Sequence, residues 1–191
     1  MRKPPLRKNP IYKKMAAPAP LPEERFMANG NIIMKLVIHL VTLVSQKGQT
    51  KLNPKILEFL SRKLAEQDPR ETIIKFIDNS YEHWPQIKQR NEEHFDANIS
   101  SLFASFDENI VAMFVDLFKA RDNTGAVIVG KEYRDKIWDI LGAMVKTCIV
   151  FVHENNGPFV DEDGACCYSK PFMTQIPFLQ LAHEWNITLK Y

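Results

Sequence analysis

The sequence predicts an all-α protein, a bundle of about six helices with extended N-terminal and C-terminal arms. Three observations lead there. Apolar residues recur at helical spacing through most of residues 31–153. The three prolines of that stretch, Pro54, Pro69 and Pro85, all fall at predicted helix starts, where the missing N–H and fixed φ are tolerated. The other nine prolines gather at the two ends of the chain, outside any helical pattern. Patterning and punctuation agree, which is the mark of a sequence that specifies one fold. The 191 residues therefore divide into a basic, proline-rich arm (1–22), a helical body (23–156) and an aromatic-rich C-terminal segment (157–191) with one short helix.

The arm has prolines too frequent for a helix interior and no alternation for a strand. An extended polyproline-like segment follows, reaching about 70 Å at ~3.1 Å per residue. From Asn31 the stripe Ile33, Leu36, Val37, Leu40 and Val44 predicts the first helix, with Gly48 placed to stop it. Asn53-Pro54 opens a second, carrying Ile56, Leu57, Phe59, Leu60 and Leu64. Asp68-Pro69-Arg70-Glu71 repeats that start and adds a glutamate in capping-box position, ahead of Ile73, Ile74, Phe76 and Ile77. Trp84-Pro85 begins a longer pattern through Ile87, Phe95, Ile99, Leu102, Phe103 and Phe106. Asp107 caps the next helix, with Ile110, Val111, Phe114, Leu117 and Phe118. The turn Asp122-Asn123-Thr124-Gly125 intervenes. Residues 131–153 form the last long run, whose β-branched end Thr147–Val152 keeps helical periodicity, and Asn155-Asn156-Gly157-Pro158 ends it. A short helix around Phe178–Trp185 completes the set. Trp84 and Trp138 read as core residues.

The charge is divided unevenly. Arg2, Lys3, Arg7, Lys8, Lys13 and Lys14 stand in the first 22 residues with no acid, and six of the twelve prolines stand there too. Taking those six from 25 Lys+Arg leaves 19 against 23 Asp+Glu, so the rest of the chain is net −4. Such an arm can neutralise about six phosphates with a salt slope near −5, and its single aromatic, Tyr12, offers little base stacking. It can equally serve as a strap between protein subunits. At the other end, Phe159, Tyr168, Phe172, Phe178, Trp185 and Tyr191 carry enough apolar area to favour burial, either on the chain's own bundle or on a neighbour.

Catalytic signatures are tested and fail. Gly125-Ala126-Val127-Ile128-Val129-Gly130-Lys131-Glu132 fits G-x-x-x-x-G-K but lacks the following Ser or Thr and has an apolar interior, so it reads as a short buried linker. Calcium-loop alignments on Gly125 or Gly164 put Ala120 and Lys131, or Phe159 and Lys170, where carboxylates belong. His39, His83, His94, His153 and His183 stand apart in sequence without zinc or di-iron spacing. His39, on an apolar helix, reads as a satisfied core or interface residue. Glu92, Glu93 and His94 read as a solvated face. Cys148 reads as an inert buried thiol, and Cys166-Cys167 as adjacent thiols in an acidic loop. No catalytic, cofactor or metal residue is expected. The apolar run Asn31–Val44 contains Lys35 and His39 and is too short to span a bilayer, so no membrane span is expected. The basic start leads into proline rather than an apolar run, so no signal peptide is expected, and the three cysteines suit a reducing compartment, cytoplasm or nucleus.

The stretch Phe76-Ile77-Asp78-Asn79-Ser80-Tyr81-Glu82-His83-Trp84-Pro85-Gln86-Ile87, with Phe95, Phe103 and Ile137-Trp138, resembles small helical proteins of nucleocytoplasmic large DNA viruses over about residues 70–153. The resemblance implies a virus-encoded protein and a virion component. The sequence thus points to a non-enzymatic interaction protein with other protein subunits as partners. The alternative is a nonspecific nucleic-acid-associated protein using the basic arm.

Overall fold

Proline and glutamate begin the first helix, nine residues before the apolar stripe suggests. In the computed structural model, which describes residues 19–46, 58–59, 61–63, 66–102, 108–155 and 178–188, α1 runs Pro22–Gln46. Pro22 occupies the first helical position, and the Leu21 N–H donates to the Glu24 carboxylate at 3.1 Å. The helix continues through Asn29-Gly30-Asn31, a poor helical tripeptide. Tertiary contact compensates: Phe26 is buried, with its ring 5.1 Å from that of Phe76. The arm thus ends at the start of a packed helix. By length and hydropathy α1 could cross a membrane. Here its stripe Ile33, Met34, Val37, Leu40, Val41 and Val44 is buried in the bundle.

The second expected helix, from Asn53-Pro54, lies mostly outside the described residues; 58–59 and 61–63 are helical. Next, α2 (Pro69–Ser80) begins as its sequence dictates, with the Asp68 carboxylate accepting the Glu71 N–H at 2.9 Å. A short 3₁₀ turn, Tyr81–His83, leads into α3 (Trp84–Gln89). The single long helix expected from Trp84 is two. Arg90 adopts a left-handed conformation (φ 53°), and its N–H and that of Asn91 return to the Gln86 carbonyl. Asn91 then caps α4 (Glu92–Leu102), accepting the His94 N–H on its side chain at 3.0 Å. The sequence carried that signal in Asn91-Glu92-Glu93, a cap followed by an acidic first turn. Phe103, Phe106 and Asp107 lie outside the described residues.

Helix α5 (Glu108–Lys119) ends in a turn governed by Asp122, and α6 (Lys131–Glu154) starts at Gly130. The Thr147–Val152 segment is helical, with Thr147, Cys148, Ile149, Phe151 and Val152 buried. Helix α7 (Phe178–Glu184) is the expected short C-terminal helix. Seven α-helices and no strand are present among the described residues; Arg121 and Val127 form an isolated bridge. Helices α1 and α6 share the largest interface, with α2 and α5 against α1, and α3 and α7 against α6. Trp84 and Trp138 are core residues, 3% and 6% exposed. The Trp84 indole N–H donates to the buried Ser80 hydroxyl at 3.0 Å.

Candidate functional site

The two non-glycine residues with left-handed backbone among the described residues, Arg90 and Asn186, both lie beside one cleft of about 280 Å³. Each follows a short helix and closes it with its own backbone. The Arg90 and Asn91 N–H groups return to α3. The Asn186 N–H bonds the His183 carbonyl, and the Ile187 N–H bonds the Ala182 carbonyl at 2.8 Å. Side chains near these helix ends are therefore not consumed as caps. The cleft lies between α3, α6 and the end of α7, and its lining includes Lys88, Arg90, Trp138, Gly142, Lys146 and Trp185. Gly142 matters for fit: a Cβ there would meet Trp185 Cζ3 at 3.9 Å, ordinary contact.

Its electrostatics are mixed. Arg90 pairs with Asp135 at 3.5 Å and with Asp139. Lys88 and Lys146 are exposed and form no ion pair among the described residues. Glu184 is the remaining carboxylate of the lining. Trp138 and Trp185 supply the apolar wall of the cleft, each 6% exposed.

Trp185, one of the six C-terminal aromatics, is thus packed on the chain's own bundle, together with Leu181. Phe178 opens α7. Phe159, Tyr168, Phe172 and Tyr191 lie outside the described residues, as do Cys166 and Cys167 and all six cations of the arm, Arg2, Lys3, Arg7, Lys8, Lys13 and Lys14.

Two histidines that stand apart in sequence meet in the fold. His83 Nδ1 and His94 Nε2 are 2.9 Å apart, bridging the 3₁₀ turn to α4, and Asn98 bonds the His94 carbonyl at 2.8 Å. The turn at Arg90 creates this pair, so no spacing rule for a single helix finds it. The Glu92–His94 run is correspondingly more than a solvated face, for Glu92 also receives Arg134 at 2.8 Å. No group of three His, Cys, Asp or Glu side chains suited to a metal occurs among the described residues. His39 is exposed rather than core, with Nε2 3.3 Å from the Tyr133 hydroxyl. Cys148 is fully buried, and burial pushes its thiol pKa well up, away from the reactive thiolate.

The G-x-x-x-x-G-K segment is exposed except for Val129 and half-buried Ile128, not the buried linker its apolar interior suggests. The Asp122 carboxylate accepts the Thr124 and Ala126 N–H groups at 2.8 and 3.1 Å, so amides that a phosphate would need are already used. No family model matches the chain, and neither a curated protein nor a solved structure matches it.

Proposed function

We propose that this chain is a non-enzymatic interaction protein, tethered to a larger assembly through its terminal segments. The observation that carries the reading is charge segregation: six cations and no acid in the first 22 residues, on a remainder of net −4. The described geometry supports it at one point. The basic segment joins the body at exposed Leu21, directly before the first position of a helix that is the middle of the core. A pull on the segment is therefore delivered to the best-anchored element. The resemblance to virus-encoded helical proteins makes a virion the natural assembly.

Nucleic acid as the arm's target is favoured by one feature, the absence of any carboxylate among those six cations. One comparison separates the readings: the full chain against a variant with Arg2, Lys3, Arg7, Lys8, Lys13 and Lys14 changed to Gln, by size exclusion with mass detection at low and high salt, with and without duplex DNA. Self-association or subunit binding lost in the variant supports the tether. DNA binding lost in the variant, with a salt slope near −5, moves the nucleic-acid reading ahead. A variant that behaves like the parent under every condition overturns both.

A further inference from the structure

We propose that the His83–His94 contact is an acid-released latch, holding the start of α4 against the turn that follows α2. This goes beyond the tether and does not depend on it. His83 lies in the 3₁₀ turn and His94 in the first turn of α4, with left-handed Arg90 between them, and both rings are half-buried. Their facing nitrogens, His83 Nδ1 and His94 Nε2, are 2.9 Å apart, a hydrogen bond that requires one N–H and one lone pair. Asn98 decides which ring donates. Its amide nitrogen donates to the His94 carbonyl at 2.8 Å, so the NH₂ end of the amide also lies against His94 Nδ1, at 3.4 Å. His94 Nδ1 is then the lone-pair nitrogen, the ring proton sits on Nε2, and that N–H donates to His83 Nδ1. Both rings are neutral in this chain of bonds. A proton added to His83 Nδ1 meets the His94 Nε2–H, and one added to His94 Nδ1 meets the Asn98 NH₂ group. In either case two donors face each other and the contact opens. The elements packed here carry mostly carboxylates: Asp78 on α2, Glu82 in the turn, Glu93, Asp96 and the Arg134-paired Glu92 on α4, and Asp116 on α5, against Lys88 on α3 and Lys119 on α5. Their balance favours proton uptake, and the geometry turns uptake into release. The stabilisation from the contact is therefore present above the imidazole range and lost as pH falls through it.

The test is a double-mutant cycle in the full chain: parent, His83→Ala, His94→Ala and the double variant, each unfolded in urea at about pH 7.5 and about pH 5.5. The cycle separates the contact between the rings from the carboxylates around them. A coupling of about fivefold in the folding equilibrium constant is expected at the higher pH, the ordinary worth of one hydrogen bond, and none at the lower. His183→Ala, on α7, should follow the parent at both. Nitrogen NMR of the imidazoles in the unsubstituted chain gives a second readout that needs no variant to fold. His94 should be the Nε2–H tautomer at the higher pH, with its proton bonded to His83, and that bond should vanish as either ring becomes charged. Coupling that is equal at the two pH values overturns the latch, as does a neutral His94 carrying its proton on Nδ1.

Discussion

Two arginines, Arg134 in the first turns of α6 and Arg90 at the end of α3, show how the same side chain can be a structural bolt or a surface ornament. Arg134 is 14% exposed, donates to the Val129 and Phe118 carbonyls at 3.2 Å and to Glu92 at 2.8 Å, and lies 5.6 Å from the Phe118 ring centre. It joins α4, α5 and α6. Phe95 packs beside it, edge-on to both Phe118 and Trp138. Arg90 is 48% exposed and meets two carboxylates that are themselves half in water. The first region is closed and its backbone acceptors depend on the guanidinium. The second is open, and water can replace either partner. Burial of the acceptors, rather than the number of contacts, decides the energetic role.

That contrast can be broken in order of expected effect. Trp138→Ala should cost about 3–5 kcal/mol in denaturant unfolding, because it empties the closed side of the core. Trp185→Ala should cost about 3 kcal/mol by the same measurement; a loss near zero would return the C-terminal helix to the status of a loose arm. Arg134→Met keeps much of the apolar stem but strands two carbonyls, for an expected loss of about 2–3 kcal/mol. Arg90→Gln should cost about 0–1 kcal/mol, since half-exposed ion pairs are screened. If the two arginine variants lose equal stability, the comparison fails. Gly142→Ala should gain roughly 0.5–1 kcal/mol, as the added methyl finds ordinary contact on Trp185 and removes a helical glycine. As the smallest effect, Glu132→Gln should leave the unfolding midpoint unchanged within error, because the Glu132–Lys136 pair is solvent-exposed. Separately, Cys148 should resist alkylation in native protein and react on unfolding, read by mass spectrometry of its peptide; native labelling would contradict its burial.

Particular residues mark what was legible. Asp68-Pro69-Arg70-Glu71 gave a helix start that the structure reproduces in its Asp68 cap, with the Glu71 carboxylate pairing with Lys75 at 3.6 Å, and the β-branched end of α6 was helical as its periodicity required. The same Pro-x-Glu grammar stood at Pro22-Glu23-Glu24 and was masked by its place at the end of a proline-rich arm. Arg90 was illegible for a different reason. A non-glycine left-handed residue is recognised by the cap it makes, and nothing in an arginine announces that conformation.

Sequence alone determined the helical class, the helix starts at Asp68-Pro69 and Trp84-Pro85, the burial of Trp84, Trp138 and Cys148, and the charge segregation of the N-terminal segment. These follow from local periodicity, capping chemistry and composition, which act over a few residues at a time. Only the tertiary structure decided that the His83 and His94 rings meet, that Trp185 belongs to the bundle, and that Lys88 and Lys146 share a cleft. Each depends on where one element lies relative to another, set by how the turn at Arg90 folds α3 back and how the α6 surface is covered. Those are packing outcomes over tens of residues, and no short-range pattern encodes them.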